Sequence, residues 1–183
     1  MLITPILQGL FLIGALIIGI TLIFRYFLGV GVGAPYLPIH TKYLKSLFIE
    51  LDIRPGMTVM DLGSGDGKIL LEAAKRDTRV IGYEINPLLT WISQWRLRAW
   101  KNDATIYRKN LFEADISRAD IIFVFGITGM MFRLSQKLLR EGKAGAQIVS
   151  FAFELPGFAE SERRGIAFLY RIPQRTKEKI YEG

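Results

Sequence analysis

The chain has 183 residues, a net charge of +7 and 50% hydrophobic side chains, a size that suits one α/β domain with a short appendage. The absence of cysteine excludes disulfides and thiolate metal sites, and a single histidine, His40, argues against a histidine-based metal centre or triad. The basic residues are scattered, with no basic run interleaved with aromatics, so the charge does not point to nucleic acid.

Residues 1–24 contain no charged side chain, which exceeds the roughly 20 residues a helix needs to cross a bilayer. A cleaved signal peptide is the competing reading, but the stretch lacks a basic leader and runs past the usual apolar length of about 7–15 residues. Residues 1–28 are therefore expected to form a transmembrane anchor. Arg25, Lys42 and Lys45 follow the apolar run, which places the rest of the chain on the cytoplasmic side of a single-pass topology. Ala15 and Gly19 lie four apart, a spacing that lets two such helices pair as a homodimer.

Residues 29–40 are expected to form a Gly/Pro-rich linker and 41–173 the folded α/β domain, followed by a charged tail at 174–183. Thr41 is expected to cap a helix running to about Leu51, with Tyr43, Leu44, Leu47, Phe48 and Leu51 on one face packed against a sheet. Arg54-Pro55-Gly56 then turns the chain into a buried strand, Thr58 to Leu62. This strand breaks into Gly63-Ser64-Gly65-Asp66-Gly67 and opens a helix from Asp66 to about Arg76. A second strand, Arg79 to Glu84, ends in a carboxylate. Asn86 caps and Pro87 begins a helix to about Trp100, whose Trp91, Trp95, Arg96 and Arg98 give either an aromatic, basic surface or core packing beside a solvated face. Further strands are expected at Thr105–Tyr107, Asp120–Phe125, Gln147–Phe153 and Ile166–Ile172, with a helix over Thr128–Arg140. Alternation of this kind predicts a doubly wound, mostly parallel α/β sheet.

The chemistry concentrates at the glycine-rich turn. Glycines at 63, 65 and 67 permit positive φ and let a ligand approach the backbone. An acid at the tip of the next strand, here Glu84, is placed to hold two ribose hydroxyls, so turn and acid together imply a nucleoside-containing cofactor. A dinucleotide site needs G-x-G-x-x-G, whereas this turn is D-x-G-x-G-x-G, with Asp61 where a pyrophosphate would be repelled. A carboxylate there matches a cation, and S-adenosyl-L-methionine offers an ammonium and a sulfonium besides its adenosine. The alternative is a tight turn with no ligand.

The runs Gly-Ala-Pro-Tyr-Leu-Pro (33–38), Asp61 to Ile69, Gly82 to Leu89 and Val124 to Met131 together resemble the family of protein-lysine N-methyltransferases acting on the adenine-nucleotide translocase and the ATP synthase c-subunit, with its prokaryotic relatives. The resemblance covers about residues 30–172. It implies a Rossmann-like class I methyltransferase fold in which Asp61, Gly63, Ser64, Gly65 and Gly67 cradle the methionine side of the cofactor and Glu84 binds its ribose. Asn110, where the family usually has an aspartate, and Leu111 would contact the adenine, with Asn110 accepting through its carbonyl but without the charge. The family pattern also puts an arginine where this chain has Ala152. Tyr36 and Phe125 are candidates for the substrate pocket, their π faces turned to cationic groups. No general base, no metal and no nucleic-acid partner is expected. The acceptor expected is a lysine of a membrane protein, with a lipid-soluble small molecule, or a non-catalytic nucleoside-binding membrane module, as alternatives.

Overall fold

In a computed structural model of the protein, residues 3–28, 39–100, 103–159 and 162–174 are described, with side chains of the first segment described over residues 7–23. The expected linker, with Tyr36 in it, and the tail from residue 175 onward lie outside the described residues. The elements in order are α1 (Ile3–Leu28), α2 (Thr41–Glu50), β1 (Thr58–Leu62), α3 (Lys68–Ala74), β2 (Arg79–Tyr83), α4 (Pro87–Arg96), β3 (Ala104–Tyr107), β4 (Ile121–Phe125), α5 (Thr128–Glu141), β5 (Gln147–Phe151), β6 (Glu162–Arg164) and β7 (Ala167–Arg171). Short 3-10 turns cover Arg98–Trp100 and Leu111–Glu113.

The seven strands order as β3-β2-β1-β4-β5-β7-β6. Strands β1 to β5 pair in parallel, and β7 runs antiparallel to both β5 and β6. The order reverses between β1 and β4, which is where open α/β sheets bind ligands at the carboxyl ends of their strands. Strand alternation divides the core into two layers. Val59, Ile121, Phe123, Val149 and Phe151 face α2 and α3. Met60, Leu62, Ile122, Val124 and Ile148 face α5, which inserts Met131, Leu134 and Leu138. On the first layer Phe48 of α2 stacks on Phe123 at 5.3 Å, and Phe123 on Phe151 at 6.2 Å. The expected packing of the 41–51 helix on the sheet is thus what the fold contains. Full burial of Leu44, Leu47 and Phe48 supplies on the order of 1.5–3 kcal/mol each.

Several expected boundaries shift for local physical reasons. Thr41 is not the cap of α2: His40 occupies that position, in extended backbone and without a side-chain cap bond. The helix after β1 begins at Lys68 rather than Asp66, because Gly67 sits in left-handed backbone at φ 76° and cannot belong to the helix. Helix α4 ends at Arg96, four residues early, where Leu97 leaves helical backbone at φ −91°, ψ 5°. Strand β5 stops at Phe151 because Ala152 turns to φ 66°. The edge strand β6, three exposed residues with no apolar alternation, has no counterpart among the expected elements.

The transmembrane expectation is not met among the described residues. Helix α1 is 26 residues long and its apolar side chains from Leu7 to Ile23 are exposed all round, but among the described residues no helix is long and apolar enough to cross a membrane. The single chain likewise gives the Ala15–Gly19 homodimer no support.

Candidate functional site

At the carboxyl end of β1, Asp61 pairs in register with Gly82 of β2 and Phe123 of β4. By strand alternation its side chain shares the α2–α3 layer with Val59, and it is 2% exposed. The glycine turn that follows is fastened to the tip of β2. The amides of Gly63 and Ser64 both donate to the Tyr83 carbonyl, at 2.8 and 3.0 Å. Gly65 donates to Glu84 Oε2 at 2.9 Å, while Glu84 Oε1 accepts from the Asn86 amide at 2.7 Å. Gly63, Gly65 and Gly67 all have positive φ, at 91°, 52° and 76°, as their spacing predicts. At Gly67 a second constraint acts, because a Cβ there would lie 2.3 Å from Ser93 Oγ of α4.

Helix α4 therefore supports the turn from below. Ser93 is fully buried against Gly67, and Arg96 ion-pairs with Asp66 Oδ2 at 2.7 Å while also donating to the Asp66 carbonyl. Lys68 adds a longer pair to Asp66 at 3.4 Å. The sequence placed Arg96 on a solvated face. Only the fold reveals its hold on a residue 30 positions earlier, and no local pattern signals it.

Asp61 is the electrostatic anomaly of the site. Its Oδ2 is buried and has no hydrogen-bond partner, whereas Glu84, on the neighbouring strand, has both oxygens occupied by amides. Burial, then the charges of Glu84 and Asp66, hold the Asp61 carboxyl well above the usual carboxylate range. A charged group left unpaired in this way costs more than the roughly 1–3 kcal/mol of an unsatisfied neutral one. A cation brought beside Oδ2 would remove that cost. The buried Ser64 Oγ is also unpaired, so the turn offers a negative, partly unsatisfied cradle with its backbone bare of Cβ atoms. These residues fit an aminoacyl-nucleoside cation.

The remaining candidates fall around this cradle unevenly. Phe125 closes β4, half-buried against the α2–α3 layer, and its carbonyl lies 3.7 Å from where a Gly63 Cβ would stand. Asn110 sits beyond β3, but its side-chain oxygen caps the following 3-10 turn by accepting from the Phe112 amide at 3.1 Å. That leaves one lone pair for a ligand, so the adenine contact expected of Asn110 is shared with a structural bond. Leu111 opens the same turn, half-buried on the α5 layer. Tyr83, 8% exposed and 5.2 Å from the Tyr107 ring, stands at the β2 tip, and nothing in the sequence singles it out. Tyr36 lies outside the described residues.

Known proteins resemble this chain over the stretch that holds these features. Residues 61–162 match the model of the ANTKMT methyltransferase domain, starting on Asp61 itself. The human ATP synthase c-subunit lysine N-methyltransferase is 36% identical over 126 residues, 67% of this chain but 53% of the human protein. A protein-lysine N-methyltransferase of Saccharolobus islandicus (strain REY15A) is 32% identical over 132 residues, 70% of this chain and 82% of its own length. Among solved structures, an RNA methyltransferase from Salinibacter ruber in complex with S-adenosyl-L-homocysteine superposes with a TM-score of 0.67 at 24% identity, over 80% of this chain and 100% of that one, a likeness that shows the fold. The chain spans about half the length of the human relative. The glycine turn, the acid at the tip of β2 and the extent of these matches agree: this chain belongs to the ANTKMT methyltransferase domain family.

Proposed function

We propose that this chain is an S-adenosyl-L-methionine-dependent protein-lysine N-methyltransferase whose acceptor is a lysine of a membrane-associated protein. The observation that carries the cofactor half of this reading is the buried, unpaired Oδ2 of Asp61 beneath three positive-φ glycines. The acceptor half rests on the relatives, two of which bear the name of lysine N-methyltransferases.

When bound, the cofactor supplies a methyl group on a sulfonium, a good leaving group that needs little chemical assistance. The protein's residues then bind and orient. Asp61 would take the ammonium, the backbone of Gly63 to Gly67 would shape the methionine side, and Glu84, already fixed by the Gly65 and Asn86 amides, would take the ribose hydroxyls. Asn110 and Leu111 would flank the adenine. The acceptor lysine must arrive as a neutral amine although its ordinary pKa is near 10.4, and exclusion of water around it would disfavour its charged form. Held in line with the methyl, such an amine needs no dedicated base.

In this reading α1 lies in contact with a bilayer, since a helix apolar on every side has no other solvent that suits it. Were α1 to cross the bilayer, Arg25, Lys42 and Lys45 beyond it would favour the cytoplasmic side for the domain. Confinement beside the bilayer raises the effective concentration of acceptors held there.

The test is to incubate membranes with tritium-labelled S-adenosyl-L-methionine and the full chain, with Asp61→Ala and Glu84→Ala as controls. Label in a protein band, at lysine by mass spectrometry and absent with both variants, is the expected outcome. Label in the organic extract instead would replace the protein acceptor by a lipid-soluble one. Micromolar cofactor binding with no label anywhere would leave only a nucleoside-binding module.

A further inference from the structure

Helix α4 is oriented against its own hydrophobicity. Its sheet side buries Ser93, seated against Gly67 where a larger side chain would not fit, and Thr90, whose hydroxyl donates to the Glu84 and Asn86 carbonyls. Its outer side carries Trp91 and Trp95, 62% and 57% exposed, with the half-exposed Leu88 and Ile92 completing a stripe at helical spacing. Of the two origins the sequence allows for these tryptophans, core packing is thus excluded. The guanidinium of Arg98 stacks over the Trp95 ring at 4.2 Å, and just past the adjoining β3 Lys109 Nζ lies 5.9 Å from the half-exposed Tyr107 ring. Besides Arg96, which pairs inward with Asp66, residues 85–109 hold Arg98, Lys101, Arg108 and Lys109 against a single acid, Asp103. Helix α1, with its exposed apolar side chains, packs against α4.

We propose that the outer face of α4, formed by Trp91, Trp95 and Arg98, is a membrane-interface contact that seats the domain on an anionic phospholipid surface. The proposal rests on the reading of α1 as bilayer-associated, and extends it from the helix to the domain. Indole rings are suited to the headgroup level, with an apolar body toward the acyl chains and an N–H toward water. A guanidinium beside them pairs with lipid phosphate, and the local excess of basic residues matches an anionic leaflet. If α1 lies on a bilayer, its contact with α4 brings this face toward the same surface. The arrangement also has a functional consequence: Ser93 and Arg96, on the inner side of the same helix, hold Gly67 and Asp66. The glycine turn would then sit roughly one helix diameter, about 10 Å, above the headgroups.

All three tryptophans of the chain, Trp91, Trp95 and Trp100, lie in α4 or the turn after it, so intrinsic emission reports on this face directly. The full chain is titrated with vesicles of phosphatidylcholine and phosphatidylglycerol, with and without bromine on the acyl chains, and sedimentation is followed in parallel. The expected result is a blue shift and bromine quenching that survive Trp100→Phe and are mostly lost in Trp91→Phe/Trp95→Phe. Arg98→Gln should weaken binding to anionic vesicles about fivefold while leaving neutral vesicles unaffected. Sedimentation with vesicles while Trp91 and Trp95 stay unshifted and unquenched would overturn the surface and leave the α1 reading standing. Failure to sediment at all would overturn both. A blue shift that follows protein concentration without lipid would assign the face to a second copy. One that needs an added membrane protein in detergent, without vesicles, would assign it to a protein partner. Either outcome removes the lipid contact.

Discussion

The two halves of the sheet solve different problems with different means. On the β1–β2–β3 side, a glycine turn is fixed by backbone hydrogen bonds to Tyr83 and Glu84 and supported by α4, so almost every atom around Asp61 is placed by a constraint that tolerates one residue type. On the β4–β5–β7 side, the strand ends lead into short loops held by side-chain and backbone bonds: Ser150 Oγ to the Phe153 carbonyl, the Leu155 amide to Tyr170 Oη, and the Ala152 amide to the Ile166 carbonyl. The first half is thus fixed by local backbone constraints. The second is held by longer-range contacts, and in the function proposed above it would be the side that meets an acceptor.

A matched pair of glycine substitutions gives this contrast its largest expected separation. Gly67→Ala combines left-handed backbone with a Cβ 2.3 Å from Ser93 Oγ and 3.2 Å from Ser93 Cα. It should cost about 2–5 kcal/mol and abolish cofactor binding. Gly126→Ala at the end of β4 has no positive φ, and its nearest neighbour, Met131 Sδ at 2.6 Å, is the end of a flexible side chain that can move aside. About 1 kcal/mol or less is expected there. Thermal melts with cofactor titration by calorimetry compare the two; equal losses would mean that the two edges are equally constrained.

Within the first half, the two buried acids should respond in opposite directions. Glu84→Gln turns an amide group toward two N–H donors that its carboxylate satisfied, so one bond is lost at a cost of about 1–3 kcal/mol, and binding falls with it. Asp61→Asn removes a buried, unpaired carboxyl that is costly once ionised, so above the raised pKa the cofactor-free protein should gain about 1–2 kcal/mol, while cofactor binding is lost. The pH dependence follows from the same charge. Asp61 has a folded-state pKa raised above its unfolded value, so its contribution to stability is fully present below the unfolded value and lost as pH rises through the raised one. A bound cation favours the carboxylate, so cofactor affinity should rise over that same range. Melts and titrations across pH, wild type against Asp61→Asn, check both slopes, and a pH-independent wild type would remove Asp61 from the site.

What the sequence disclosed follows the same division. Glycines at 63, 65 and 67 and the acid at 84 are local signals, because positive φ and a strand-tip carboxylate leave marks on a few adjacent residues. The strand–helix alternation made the sheet legible for the same reason. Arg96 under Asp66, the seat of Ser93 beneath Gly67, and the brief edge strand Glu162–Arg164 depend on neighbours far away in the chain, and no periodicity encodes them. Trp91 and Trp95 sit at core-like helical spacing, and only the tight approach at Gly67 explains why that spacing faces outward.

The smallest expected effect belongs to Ala152, and it sharpens the comparison most finely. Its φ of 66° is a conformation that disfavours a Cβ by about 1–2 kcal/mol, while glycine would lose roughly 0.5–1 kcal/mol in extra chain entropy. Ala152→Gly should therefore be neutral to slightly stabilising, by no more than about 1 kcal/mol. Because Ala152 follows β5, on the side proposed to meet the acceptor, the change should leave cofactor affinity untouched and move only the KM for the methyl acceptor. A variant whose cofactor affinity shifts while its acceptor KM stays fixed would show that the loop after β5 serves the first half of the sheet, and the division between the two halves would have to be redrawn.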